Sequence, residues 1–252
     1  MLIFLIAIAV FAAFTLSATA GFGGSLIMVP ALTLLLGTKT GVALSALLLS
    51  WNNLFKLIAY RNFVKMAWEP GLTMMGFTGL GVFLGAKLLV AVPEVWVSWA
   101  VIASFAVTLA FELRRRLKDA TPLPQLQTRR LKFQSNLYAP VLAFLSGATS
   151  GFSGTSGPLK GIALRNLNLN HMQFVAAASM VSFAGDVLKA GIFAEAGLLQ
   201  GTRSILLWAV PLMLLGTYAG YRINRNVEER WFSILFWTVI AAYTLRLANL
   251  WI

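Results

Sequence analysis

Apolar residues in this chain gather into long blocks, each closed by a short polar or glycine-bearing interruption. The blocks predict helices over roughly 2 to 20, 41 to 59, 71 to 91 and 95 to 112 in the first half, with a short one at 24 to 36. The second half repeats the order, at roughly 136 to 150, a short 156 to 165, then 171 to 193, 203 to 222 and 230 to 251. The long blocks suit a hydrocarbon core about 30 Å thick, whereas a short helix of 10 to 15 residues rises only about 15 to 23 Å. The short blocks are therefore expected to be half-helices or re-entrant legs that meet near the midplane.

The same small-residue phrase interrupts both halves: Gly21-Phe22-Gly23-Gly24, then Gly151-Phe152-Ser153-Gly154 at a shift of 130. Further along, Asn53-x-x-Lys56 answers Asp186-x-x-Lys189 at a shift of 133, and at 135 Gly81, Gly85 and Trp96 answer Gly216, Gly220 and Trp231. Anchors that drift so little point to an internal duplication. The expected organisation is a first transmembrane repeat over 1–111, a basic linker over 112–135 and a second repeat over 136–252. The linker carries Arg114, Arg115, Arg116, Lys118, Arg129, Arg130 and Lys132 around Thr121-Pro122-Leu123-Pro124, and its charge predicts a cytoplasmic location.

Composition agrees with a membrane solvent. With 59% hydrophobic and 11% charged residues, and a mean hydropathy of +0.80, the chain has more apolar surface than a soluble core of 252 residues can hide. The net charge of +12 reads as topology and membrane-surface electrostatics, since there is no soluble basic and aromatic face to hold nucleic acid. Cysteine is absent and His171 stands alone, which excludes disulfides, thiolate metal sites and histidine-rich metal sites. No cofactor or metal is implied. Ala18-Thr19-Ala20 has the look of a signal-peptide cleavage site, but no Lys or Arg precedes the apolar stretch and the following glycine break recurs internally, so cleavage is not expected.

The Lys/Arg distribution orients the halves. If the short segments are not crossings, the halves are parallel and Lys39, Lys160, Arg165, Arg222, Arg225 and Arg230 fall outside; if they are, the halves are inverted and only Lys39, Arg203 and Arg246 do. The expected fold is all-α: a polytopic membrane protein of two inverted-topology repeats, each of about four long helices and one short leg. Trp68, Trp96, Trp231 and Trp251 near segment ends are expected as interface anchors.

Broken helices in hydrocarbon must line a polar cavity, because freed backbone groups need protein, water or ligand partners. A helix that starts after a glycine break presents free N–H groups and its positive dipole end, which attract anions. The candidate substrate-binding residues are therefore Gly21, Phe22, Gly23, Gly24 and Ser25 in the first half and Gly151, Phe152, Ser153, Gly154, Thr155 and Ser156 in the second. Intramembrane charge adds Lys56 and Lys189 with Asn52 and Asn53, and Lys160 in the second short segment. Ser179, Ser182, Asp186 and Lys189 form a stripe that must avoid lipid; Asp186 is the candidate coupling carboxylate, with an ion pair to Lys189 as its plainer role. Near segment ends, Lys56, Lys189 and Lys87 also have the option of snorkelling.

The glycine phrase with Ser25 to Pro30, its second copy over Gly151 to Gly157, the basic central loop and the length resemble the TauE/SafE family of sulfite and organosulfonate exporters, also grouped as toluene-sulfonate uptake permeases. The resemblance spans essentially the whole chain. It implies an inner-membrane permease for small sulfur oxyanions or sulfonates that works without ATP hydrolysis, with the two glycine motifs as its site. Ser153 and the Thr155-Ser156 pair depart from a fully glycine second copy and leave the substrate open.

The residues themselves favour a compact oxyanion, bound between the two breaks while one repeat rocks against the other. A negative interior favours export of a monoanion by about 2.3 kcal/mol per 100 mV. The expected partners are thus a small anion and the lipid bilayer; a homodimer is allowed by the sequence but not read from it. A purely structural membrane scaffold would leave the intramembrane charge unexplained, and two further rivals remain at this level. One is an anion channel. The other is an intramembrane serine protease, since Gly154-Thr155-Ser156-Gly157 fits G-x-S-G with His171 as base, although no separate membrane helix carries His171 to Ser156.

Overall fold

Away from water, an apolar segment has one local way to satisfy its own N–H and C=O groups, the hydrogen-bond ladder of a helix. The structure, a computed structural model, describes residues 6–8, 10–15, 24–64, 68–119, 138–155, 157–165 and 171–223, and these are helical almost throughout. In chain order the elements are α1 (Ile6–Thr15), α2 (Gly24–Leu36), α3 (Thr38–Ala59), the single turn α4 (Arg61–Val64), α5 (Trp68–Ala91), α6 (Glu94–Asp119), α7 (Tyr138–Ser153), α8 (Gly157–Arg165), α9 (His171–Glu195) and α10 (Arg203–Ile223). The short segments emerge as α2 and α8, of 13 and 9 residues. Among the described residues four helices are long and apolar enough to cross a membrane, within α3, α5, α9 and α10. The last expected helix, 230 to 251, and most of the basic linker lie outside the described residues. At its start the linker departs from expectation: α6 runs on as helix through Asp119, because Glu, Leu, Arg and Lys are all good helix formers.

The outward faces identify the solvent. Leu80 and Leu84 on α5, Val95 on α6 and Leu207 and Leu215 on α10 are between 55% and 81% exposed, a belt that acyl chains can cover and water cannot. Trp68 and Trp96 stand exposed in the first turns of α5 and α6, where interface anchors belong.

Inside, apolar clusters organise the bundle, one of them, with Val29, Val42, Ala86, Val101 and Phe193, linking α2 and α3 to α5, α6 and α9. A second joins α1, α2, α3 and α10 through Phe14, Met28, Leu44, Leu48 and Met213. A third joins α5, α7, α8 and α9 through Met74, Ala143, Ala163, Leu164 and Val181. Glycine permits the closest approach. A Cβ at Gly81 would meet Phe144 O on α7, and one at Gly151 would meet Val82 O on α5, so these helices touch backbone to backbone. The same contact is made at the other end of the chain, where Gly216 on α10 lies against Phe11 O on α1.

Helices α3 and α9 cross near the centre and run antiparallel, since Asn53 meets Asp186 while Tyr60, further along α3, meets Val175 and Ala176, further back on α9. The N-terminus of α3 has no side-chain cap of its own. Glu94, the first residue of α6, supplies one, accepting from Thr38 N and Lys39 N, so a carboxylate sits on a positive dipole end. Thr38 and Ser98 hydroxyls bond at 2.7 Å beside it.

Candidate functional site

The crossing of α3 and α9 brings positions 53 and 186, which answer each other in the sequence, into direct contact. Asn53 Nδ2 donates to Asp186 Oδ2 at 2.8 Å. One turn along α9, Lys189 Nζ lies 2.8 Å from Asp186 Oδ1 and donates to Ser150 Oγ on α7 at 3.0 Å. The stripe on α9 thus turns inward, with Asp186 6% and Lys189 1% exposed and Ser182 half-buried. Neither Lys189 nor Lys56, which is 3% exposed, snorkels. Lys87 takes that course instead, exposed near the end of α5 with its Nζ 5.8 Å from the centre of the Phe83 ring.

Lys160 reaches from the short helix α8 to donate to Ser182 Oγ at 2.7 Å, and Ser182 Oγ in turn donates to Ala178 O. Lys56 lies close enough to Lys160 for mutual repulsion and to Asp186 for attraction, and Lys160 in turn feels Asp186 and Lys189. The three candidate cations and the one candidate carboxylate, drawn from α3, α8 and α9, therefore share a single electrostatic neighbourhood. Asn52, fully buried, accepts from Thr217 Oγ1 at 3.1 Å and ties α3 to α10.

The glycine motifs divide into separate roles. Gly21, Phe22 and Gly23 lie outside the described residues; Gly24 is the buried first residue of α2, and Ser25 beside it is half-buried. In the second copy, Gly151, Phe152 and Ser153 form the last turn of α7, and the interruption falls at Gly154, whose φ of +78° suits a residue without a side chain. Gly154 nests against Val29 of α2 and Val42 of α3, which sets the second break against the first short helix. Thr155 is fully buried, and its hydroxyl bonds Ser104 Oγ on α6 at 3.0 Å. Ser153 Oγ donates back to Thr149 O. These two hydroxyls hold the break together. Ser156 lies outside the described residues, and His171 is the first residue of α9.

Sequence reasoning named Gly151, Phe152 and Ser153 at the end of α7 but missed Ser146 and Ser150. Ser146, Ser150 and Ser153 share one face at helical spacing, a stripe as regular as that on α9, and Ser150 is the hydroxyl that holds Lys189. Ser146 on α7 and Ser179 on α9 are each 1% exposed and have no protein partner for their hydroxyls. Among the described residues no group of three or more His, Asp or Glu could hold a metal ion.

A family comparison places this arrangement. Residues 5–247 match the family described as sulfite exporter TauE/SafE. The chain belongs to that family. TauE/SafE membership makes it a multi-pass membrane protein of a group that exports sulfur anions, and the lipid-facing belt and buried ammonium groups are those such a protein needs. Searches of curated proteins and of solved structures return no match. The TauE/SafE assignment therefore rests on the family match together with the chain's own geometry.

Proposed function

We propose that this chain is a permease of the plasma membrane, the inner one where there are two, moving a small sulfur oxyanion or organosulfonate such as sulfite, thiosulfate or sulfoacetate, in the direction of export. The observation that carries the reading is the cluster of Lys56 and Lys189 around Asp186 and Asn53, buried within a lipid-facing bundle, with the half-buried Lys160 beside them. An ionised group at the bilayer centre costs about 2.5 to 3.5 kcal/mol on insertion scales, so several cations near one carboxylate call for an anionic guest. The two glycine motifs are read as the walls of the site, with Gly24 and Ser25 at the start of α2 and Gly154 and Thr155 at the end of α7 as their described members, and the start of α8 directs its dipole toward the guest.

The repeats are read as inverted, with the linker cytoplasmic. Two observations support this. The equivalent helices α3 and α9 run antiparallel through an Asn53–Asp186 contact. The Gly81–Phe144 and Gly216–Phe11 contacts also answer each other, as do the clusters of α5, α7, α8, α9 and of α10, α1, α2, α3. Transport then proceeds by motion of one bundle against the other around the site. Counterflow in proteoliposomes tests the reading: labelled sulfite should accumulate transiently against its gradient when unlabelled sulfite is trapped on the other side. Flux without counterflow would make the path a pore, and no anion flux at all would end the proposal.

A further inference from the structure

At the end of α3 lies a cavity whose lining shares no residue with the lysine cluster. Leu57, Arg61 and Val64, four and three positions apart, fall on one helical face. Together with Trp68 of α5 and Met180 of α9 they enclose about 540 Å³. That face is held from behind. Buried Tyr60 packs with Phe63 and Val64 against Val175 and Ala176 of α9, and Phe63 N and Val64 N both donate to Tyr60 O, so the turn α4 is fixed to α9 with Arg61 at the cavity. Met180, 4% exposed, forms the inner wall. Its thioether runs across to α5, where a Cβ on Gly71 would strike Met180 Cε, and a flexible side chain of this kind adapts to whatever fills the space beside it.

The lining decides what that is. Leu57, Val64, Met180 and the indole of Trp68 offer a guest mainly apolar surface, and Arg61 offers one guanidinium. Water needs about two to four polar partners to settle in such a space. A bare oxyanion would meet one cation and leave most of the volume unfilled, whereas cavities of about 300 to 1,000 Å³ suit larger, mostly apolar ligands. Arg61 and Trp68 are exposed, at the end of α3 and the start of α5, the level at which arginine and tryptophan side chains meet lipid headgroups. Among the described residues Arg61 makes no ion pair.

We propose that this cavity binds an anionic phospholipid: an acyl chain fills the space between Leu57, Val64 and Met180, and the Arg61 guanidinium takes the phosphate, a group its fork of donors matches. A zwitterionic lipid presents the same phosphate but brings its own ammonium ion, which weakens the net attraction to Arg61. A lipid so placed touches both halves of the chain, α3, α4 and α5 from the first and α9 from the second. The assignment does not depend on which anion the protein moves.

The test uses purified full-length protein in a neutral maltoside detergent. Phosphatidylglycerol and phosphatidylcholine with the same acyl chains are added at equal mole fraction, and the lipid retained per chain is counted by native mass spectrometry. The wild type should retain phosphatidylglycerol about fivefold better. Arg61→Gln should lower that retention to the level of phosphatidylcholine, and Leu57→Trp, which fills the cavity, should expel both lipids. Inorganic phosphate should displace no more lipid than chloride does at the same ionic strength. Equal retention of the two lipids by the wild type, or an unchanged preference in Arg61→Gln, would overturn the proposal. Full retention in a folded Leu57→Trp variant would place the lipid elsewhere and do the same, and displacement by phosphate alone would reassign the cavity to a free oxyanion. The comparison of wild type with Arg61→Gln decides the matter even if Leu57→Trp does not fold, because the Arg61 side chain is exposed.

Discussion

Removing Asp186 should damage the fold far more than removing Asp186 and Lys189 together. The two charges lie 2.8 Å apart with side-chain exposures of 9% and 1%. At an effective dielectric near 20 their attraction is about 6 kcal/mol before desolvation is subtracted. Desolvation cancels much of that, so the pair adds little to stability as a unit; a lone survivor, however, is a buried charge without a counter-ion, which costs about 3 to 5 kcal/mol. Asp186→Leu should therefore destabilise by that amount, and Lys189→Met by nearly as much, since Asn53 still donates to the stranded carboxylate. The double variant, with apolar groups of similar volume, should recover more than about 3 to 5 kcal/mol of the summed loss and so be less destabilised than Asp186→Leu alone. Equilibrium unfolding in mixed micelles, run on the wild type, both single variants and the double, yields the coupling energy. Strictly additive losses would refute the claim that the two residues form one electrostatic unit. Export should stay low in the stabilised double variant, because its fold is repaired while the charge pattern around the guest is not.

Other expectations follow from contacts described above. Lys56→Ala and Lys160→Ala should lower anion efflux at least about tenfold with little loss of thermal stability, whereas loss of both in parallel would mark the lysines as structural. Gly151→Val places a branched side chain against Val82 O and Ala86 N of α5 and should separate α5 from α7, read as loss of folded protein in size-exclusion chromatography. Gly154→Ala forces a left-handed conformation, costing about 1 to 2 kcal/mol, and crowds Val29 and Val42; a melting temperature equal to that of the wild type would argue against the turn. Glu94→Ala removes the acceptor at the start of α3 and should cost about 0.5 to 2 kcal/mol, measured in the same mixed micelles.

The helices were legible in the sequence because apolar blocks in a membrane have few alternatives to an α-helix. The short segment expected at 24 to 36 coincides with α2, and 171 to 193 falls within α9. The site was legible where charge was conspicuous. Lys56, Lys160, Asp186 and Lys189 stand out as ions in apolar surroundings, and the structure gathers all of them. What the sequence obscured was the division of labour in the glycine phrase. A glycine that lets two helices touch, like Gly151, and one that turns the chain, like Gly154, are the same letter, and only the neighbours distinguish them. Serine posed the same difficulty. Ser150 holds Lys189 while Ser153 bonds its own helix, although both occupy one face of α7.

The exchange of helices between the two halves has a mechanical consequence. Because α5 is clamped to α7 through glycine contacts, and α10 leans on α1 in the matching way, the packing units of this protein cross its sequence halves. One apolar cluster gathers α1 to α3 with α10, another α5 with α7 to α9, and a third, which includes Val29, Val42, Ala86 and Phe193, joins the two across α2, α3, α5 and α9. A chain cut within the linker would yield two fragments that each lack the keystone of their own arch. They should accumulate only when made together. Since the chain contains no cysteine, engineered thiol pairs can map the seam without background: bridges within either of the first two clusters should leave flux untouched, and a bridge joining α3 to α9 should lock it.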